Sequence, residues 1–252
     1  MKSRMLGVAY AIFYLALVPL HEAQASFVPI SSSLTINGWS NLDSTSANPG
    51  TRVSDEQSTT VDPLNVSYTR TLDNGVETLT ETGVASATWS DPSSGSVVFD
   101  LNLSSVDLID GVLWFGVGYG FSYSFTAATD GVFTFGGSLS STAPSPGLRG
   151  GVIFQFSDLG GYLTSGQIDV SGPTSKFISQ TLVAGQDYFL EFRPDMQVWC
   201  GLDPSCDLLN RNETMAADLG FDFQTVPIPP AVYLFGSGLI GLVAMARRRK
   251  QS

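Results

Sequence analysis

Histidine is almost missing from this 252-residue chain, in which His21 is the only one. It falls inside an N-terminal leader, so cleavage after Ala25 would leave a body without any. That excludes a Ser-His-Asp triad, a Cys-His pair, an HExxH zinc site and other centres built on histidine. No G-x-S-x-G elbow occurs, and the residue three before Lys176 is Pro173 rather than serine, so serine-hydrolase chemistry lacks its parts. Cysteine is nearly as scarce. Cys200 and Cys206 are the only two, and both lie in WCGLDPSCD. In an oxidising compartment they are expected to close a small disulfide ring, adding about 2 to 3 kcal/mol at most. Two free thiols or half of a metal site are the alternatives, the latter with no histidine nearby.

Cations are few and badly distributed. Lys2, Arg4, Arg247, Arg248, Arg249 and Lys250 make up half of the 12 Lys and Arg residues, against 23 acids and a net charge of −11. The segment between the two ends is therefore strongly acidic. Such a surface repels phosphate backbones and anionic headgroups, which excludes nucleic acid as a partner. Amphipathic helical periodicity is also lacking in this segment.

What is present is strand pattern. In VLWFGVGYGFSYSFT, from Val112 to Thr126, Leu113, Phe115, Val117, Tyr119, Phe121, Tyr123 and Phe125 alternate with Trp114 and small residues. Large residues on one side and small ones on the other describe a long strand over a core, whose small face admits close approach of another backbone. Its Gly116-Val117-Gly118-Tyr119-Gly120 run has the wrong spacing for a dinucleotide loop, and no helix follows it. Further runs of this kind are SYTRTL, VETLTETGVASATW, SVVFDLNL, GVFTFGGSLS, GGVIFQF, KFISQTL, QDYFLEF and DLGFDFQ.

Turn residues separate the runs. Asp73-Asn74-Gly75 and Asp130-Gly131 are placed to make tight hairpins, whereas Asp91-Pro92, Pro144 to Gly147 and Asp203-Pro204 mark wider loops. The polar stretch from Ser40 to Asp62 is expected to be a long loop or mobile segment. About ten short strands punctuated in this way predict an all-β fold. The expected form is an antiparallel β-sandwich of jelly-roll type over residues 26–225, with two small β domains divided near Ser90 as the alternative.

Carboxylates are the remaining catalytic equipment. Asp187, Glu191 and Asp195 lie in or beside one strand, with Asp187 and Glu191 on one face about 13 Å apart, too far for a glycosidase pair. A solvated strand face is the expected role, and no enzyme activity, cofactor or metal site is assigned. Asp203, Asp207, Asp218 and Asp222 offer hard oxygen ligands that suit calcium, without EF-hand spacing. Trp39, Trp89, Trp114 and Trp199 could stack on sugar rings if exposed, although an aromatic-rich sandwich would bury them.

The two ends read as addresses. Lys2 and Arg4, an apolar run from Met5 to Leu20 and then Ala23-Gln24-Ala25 have the layout of a secretory signal peptide over residues 1–25. At the other end stands VPIPPAVYLFGSGLIGLVAMARRRK. Pro227, Pro229 and Pro230 stop any strand from running on, and an apolar helix is expected over 231–246. At 1.5 Å per residue those 16 positions span roughly 24 Å, short for a bilayer core unless Ile228 and the snorkelling arginines extend it. Arg247, Arg248, Arg249 and Lys250 would stay cytoplasmic and place the β domain outside the inner membrane.

This arrangement of proline hinge, short glycine-bearing apolar span and basic terminus resembles the PEP-CTERM family of exosortase substrates. The match covers residues 226–252 and is similar to the VPxPP/VPLPA-type variants; the Pro-Glu-Pro of the family's name is Pro227-Ile228-Pro229 here. The resemblance implies export by the Sec machinery in a Gram-negative bacterium that makes exopolysaccharide, then transient retention by the tail. Cleavage by an exosortase at or near the proline motif, release to the cell surface or extracellular matrix, and a biofilm setting follow from it. Val226, Pro227, Ile228, Pro229 and Pro230 would be the sorting motif, and residues 247–250 the membrane stop signal. The expected function is a non-enzymatic structural or adhesive surface protein. A carbohydrate-binding module that engages the polysaccharide directly is the alternative.

Overall fold

The computed structural model describes residues 27–40, 53–58, 63–73, 78–106, 114–142, 146–199 and 210–225. The strands are β1 (Phe27–Ser40), β2 (Val53–Ser58), β3 (Leu64–Asp73), β4 (Thr78–Asp91), β5 (Ser94–Val106) and β6 (Trp114–Ala127). They are followed by β7 (Gly131–Ser141), β8 (Leu148–Asp158), β9 (Gly161–Asp169), β10 (Ser175–Leu182), β11 (Asp187–Trp199) and β12 (Asn212–Thr225). They form two six-stranded sheets, in the orders β2-β1-β6-β11-β8-β9 and β10-β7-β12-β5-β4-β3. All the pairings are antiparallel. The protein is thus all-β, with two sheets enclosing one core in the manner of a sandwich. Among the described residues no helix is long and apolar enough to cross a membrane. The expected span at 231–246 lies outside them, as do the leader, the sorting motif at 226–230, the basic tail and the Cys200–Cys206 loop.

Alternation drives this architecture. On β6, Val117, Tyr119, Phe121, Tyr123 and Phe125 point inward and are buried, as the sequence pattern requires. Fully buried Phe133 and Phe135 of β7 and Phe154 and Phe156 of β8 meet them from the two sheets. The rings interlock: Phe125 lies 5.4 Å from Phe133, Phe133 lies 5.2 Å from Phe156, and Phe156 stacks on Tyr188 at 5.4 Å. Phe27, the first residue of β1, stacks on Phe125 with centroids 3.8 Å apart. The outward positions carry short hydroxyl side chains that pair across strands, as Thr71 with Thr80, Thr88 with Ser96 and Thr134 with Ser179 do at 3.0 to 3.4 Å. The small face of β6 also points outward, and Thr35 of β1 lays its hydroxyl on the Gly120 carbonyl at 3.2 Å.

The structure departs from the sequence pattern in three places. The stretch expected as a loop from Ser40 to Asp62 contains β2, which pairs with β1 from Ser33↔Ser58 to Gly38↔Val53. Asp130-Gly131 is not a hairpin turn, because β6 and β7 belong to different sheets; it carries the chain across the sandwich, and Asp130 accepts the Ala184 amide at 2.7 Å. Asp91-Pro92 is not a wide loop but the tight β4–β5 turn, with Asp91 opposite Ser94. The Asp91 carboxylate accepts both the amide and the hydroxyl of Ser93, at 2.7 and 2.6 Å, and so closes the turn. β1 and β9 complete the set beyond the runs recognised by alternation. Strands from both sides of Ser90 mix in both sheets.

Glycine permits close backbone approach in the second sheet. Gly136 of β7 has φ of +141°, and a Cβ there would run into the Lys176 carbonyl of β10. Gly185 also has a positive φ, +79°, but its Cβ would meet nothing within 4 Å. Gly185→Ala should therefore cost only the left-handed backbone strain of about 1 to 2 kcal/mol, and Gly136→Ala distinctly more. Urea unfolding midpoints of the two variants check the order; equal losses would show that the backbone contact at Gly136 is easily relieved.

Candidate functional site

A cavity of about 290 Å³ opens at one end of the sandwich, lined by Pro29, Ser31 and Ser32 of β1, by Trp89, Ser90, Asp91 and Pro92 of the β4–β5 hairpin, and by Tyr123 of β6. Its walls come from both sheets. Each wall carries a β-bulge: the β1–β6 register slips between Pro29 and Ser31, and the β4–β5 register slips between Trp89 and Asp91. The extra residues are Ile30 and Ser90. A bulge breaks the alternation of one strand and re-aims the side chains beside it, and here two of them turn toward one space.

Trp89 is half-buried and packs on the core, its ring 6.0 Å from Phe121 and 5.7 Å from Tyr123. The Tyr123 hydroxyl donates to the Pro92 carbonyl at 2.7 Å, which pins the turn to β6. Burial, followed by the nearby Asp91 charge, pushes that phenol's pKa up, so it stays a donor. Asp91 is exposed and spends one oxygen on Ser93. No Lys or Arg lines the cavity. Trp89 is thus both core and wall, a combination that the sequence offered only as alternatives. The side chains of Trp39, Trp114 and Trp199 lie outside the described set.

The acids named from the sequence do not converge. Asp187 and Glu191 do share the outer face of β11. Asp187 accepts the Thr126 hydroxyl at 2.5 Å, and Arg193 clamps both oxygens of Glu191 at 2.6 and 2.8 Å. Asp195 lies opposite Gly151, which in turn lies opposite Asp169. Burial and the Asp169 charge raise the Asp195 pKa. Two strand spacings separate these aspartates, roughly 10 Å, on an open sheet face. Asp218 and Asp222 stand exposed on β12, while Asp203 and Asp207 fall outside the described residues. Among the described residues, no three His, Cys, Asp or Glu side chains come together as a metal site.

Sequence reasoning missed a buried carboxyl. Glu81 of β4 faces the interior and is 0% exposed. One oxygen accepts the Tyr68 hydroxyl at 3.3 Å and lies 3.8 Å from Arg70 Nη1, while Oε1 has no hydrogen-bond partner. Gly38 of β1 makes the room, since a Cβ there would strike both the carboxyl and the phenol. Burial pushes the Glu81 pKa up to about 7, against the lowering influence of Arg70 and then of the Tyr68 hydrogen bond; Tyr68 is pushed up to about 12, chiefly by burial. The only hint in the sequence was one acid in the apolar phase of an alternating strand. Two strands along the same sheet, at the start of β12, buried Arg211 donates to the Pro146 carbonyl at 2.6 Å and pairs with Glu213 at 3.5 Å. Thr142 donates to Glu213 at 3.0 Å, which knits that region together.

Comparisons with known proteins add no family. No protein-family model matches the chain, and no curated protein does. Among solved structures, it is similar to the enzymatically active domain of bacteriophage CBA120 tailspike protein 4, at 11% identity and a TM-score of 0.26, over 60% of this chain and 20% of that one. It is also similar to the GH31 alpha-xylosidase of Xanthomonas citri, at 8% identity and a TM-score of 0.21, over 78% of this chain and 27% of that one. For the VP2 subviral particle of infectious bursal disease virus the figures are 15% and 0.19, over 89% and 75%. The chain thus spans about a fifth and about a quarter of the tailspike and xylosidase chains. Function has to be reasoned from the residues.

The Glu81 geometry makes stability depend on pH. Its carboxyl holds a proton more tightly folded than unfolded, so its contribution is complete below the ordinary carboxyl value of 4.5 and is lost as pH rises toward 7. The loss is about 3 kcal/mol. Glu81→Gln should remove that slope and overtake the wild type above pH 7. Urea unfolding of both proteins at pH 5 and pH 8 tests this, and a stability difference that does not change with pH would disprove it.

Proposed function

We propose that this chain is an exported, non-enzymatic β-sandwich of jelly-roll type that serves a structural or adhesive role alongside exopolysaccharide, delivered by a C-terminal exosortase-type signal. The observation that supports the reading is that the described core draws on residues right up to both expected boundaries: Phe27, close to the expected cut after Ala25, and Phe223, close to the proline motif at 226–230, are both buried. Phe27 is a core residue stacked on Phe125. A cut two residues later would remove it, whereas a cut after Ala25 spares it. In the jelly-roll assignment, β5-β12-β7-β10 faces β6-β11-β8-β9, the order expected of two interlocked Greek keys. β1 and β2 extend one sheet, and β4 and β3 the other.

In this reading the Sec machinery exports the chain and the helix at 231–246 holds it in the inner membrane. The stiff segment from Val226 to Pro230 is then presented to an exosortase. A second reading, direct engagement of polysaccharide as a carbohydrate-binding module, draws support from the cavity beside Trp89. The sorting reading is tested by the intact mass of the protein isolated from its own cells. The expected mass begins at Ser26 and ends near Pro230. Recovery of a chain that still carries both Met1 and Lys250, free in the cytosol, would refute it.

A further inference from the structure

We propose that the cavity between the two bulges is a binding site for a single neutral sugar ring, held face-on against Trp89. The inference rests on the second reading above and supplies its site. The occupant follows from the lining. Trp89 offers an apolar wall whose position is fixed, because its indole is held 6.0 and 5.7 Å from the rings of Phe121 and Tyr123. A flat apolar ring face suits such a wall, and an indole that does not have to reorder on binding loses little entropy.

The rim is polar and lacks cations. It presents the serines of β1 and hairpin residues Ser90 and Asp91, the latter taking both Ser93 bonds on Oδ1 alone. Such a rim accepts hydroxyl donors and repels carboxylates, sulfates and phosphates. An acidic chain of net charge −11 adds to that repulsion. At about 290 Å³ the space is at the small end for ligand pockets, suited to one ring of a chain rather than to several. A quaternary ammonium ion would want aromatic faces on more than one side. Here Tyr123 packs against Trp89, and its hydroxyl is tied to Pro92.

The placement of the bulges supports a built site. Of the three register slips in the described sheets, two fall on the strands that line this cavity. They lie in opposite sheets, β1 in one and β4–β5 in the other, and the Tyr123 hydrogen bond to Pro92 joins the two walls. Loss of either bulge would return the alternation to register and turn its wall residues away.

The test uses the protein purified as its own cells leave it. Affinity electrophoresis through dextran, galactomannan or alginate is combined with saturation-transfer NMR on the methyl glycosides of glucose, galactose and mannose. Wild type should be retarded by a neutral polysaccharide and not by alginate. Ser31→Trp, which fills the cavity from an exposed position without touching the core, should weaken binding at least tenfold while leaving the thermal midpoint unchanged. Asp91→Asn should weaken it several-fold. Trp89→Ala should abolish it, with Ser31→Trp as the control against misfolding. Undiminished binding by Ser31→Trp would move the site elsewhere and overturn this proposal while sparing the carbohydrate reading. Saturation by choline or alginate in place of neutral sugars would overturn the ligand assignment. No binding to any glycan probe would overturn the site and the carbohydrate reading together, leaving the sorting reading to the mass measurement.

Discussion

The packing of two inward-facing aromatic layers is the constraint from which the rest of the molecule follows. Most of the strands have one apolar face, and no single sheet can hide it. Phe125, Phe133 and Phe156 meet in the middle, and strands from the whole length of the chain are recruited to cover them. Once the inner faces are spent on phenylalanine, the outer faces are free to carry serine and threonine. That division explains how a body so rich in hydroxyls folds without long hydrophobic runs between its two ends. It also explains why Trp89 can serve two ends, because a residue at the rim of the layer is held by the core on one side and open on the other.

Much of this was legible. Alternation placed β3 to β8 and β10 to β12, and it predicted which side of β6 would be buried, because that signal is a direct consequence of facing a core. The failures have their own causes. β2 reads VSDEQS, with nothing apolar beyond its first residue, and exists because β1 offers it a partner edge. β9 lies at a sheet edge and buries only Ile168 among its large side chains. The turn at Asp130-Gly131 has hairpin residues but crosses between sheets, since local turn chemistry does not know where the next strand will pair. At Asp91-Pro92 the aspartate closes its own turn through Ser93, a capture that leaves no trace in the spacing of apolar residues.

The candidate site was less legible than the fold. Trp89 was visible as an aromatic residue, yet nothing nearby in sequence announced that β1 would stand opposite it. The bulges at Ile30 and Ser90 are interruptions of a register, and a register is a property of pairs of strands rather than of one. Glu81 was hidden for the opposite reason: it occupies a phase that alternation assigns to the core, and only Gly38 across the sandwich gives it space. Burying an ionisable group costs desolvation that its partners return only in part. Glu81 is tied to Tyr68 and Arg70 in a corner where β1, β3 and β4 come together.

The position of β12 between β5 and β7 has a consequence for how the molecule matures. The last described strand is a central strand of its sheet, so that sheet cannot close until residues 212–225 arrive. A polypeptide emerging N-terminus first therefore waits with β5 and β7 apart, exposing phenylalanine rings that later become its innermost contents. Closure of that sheet therefore comes late, and a nascent chain halted before Asn212 leaves β5 and β7 without the strand that joins them.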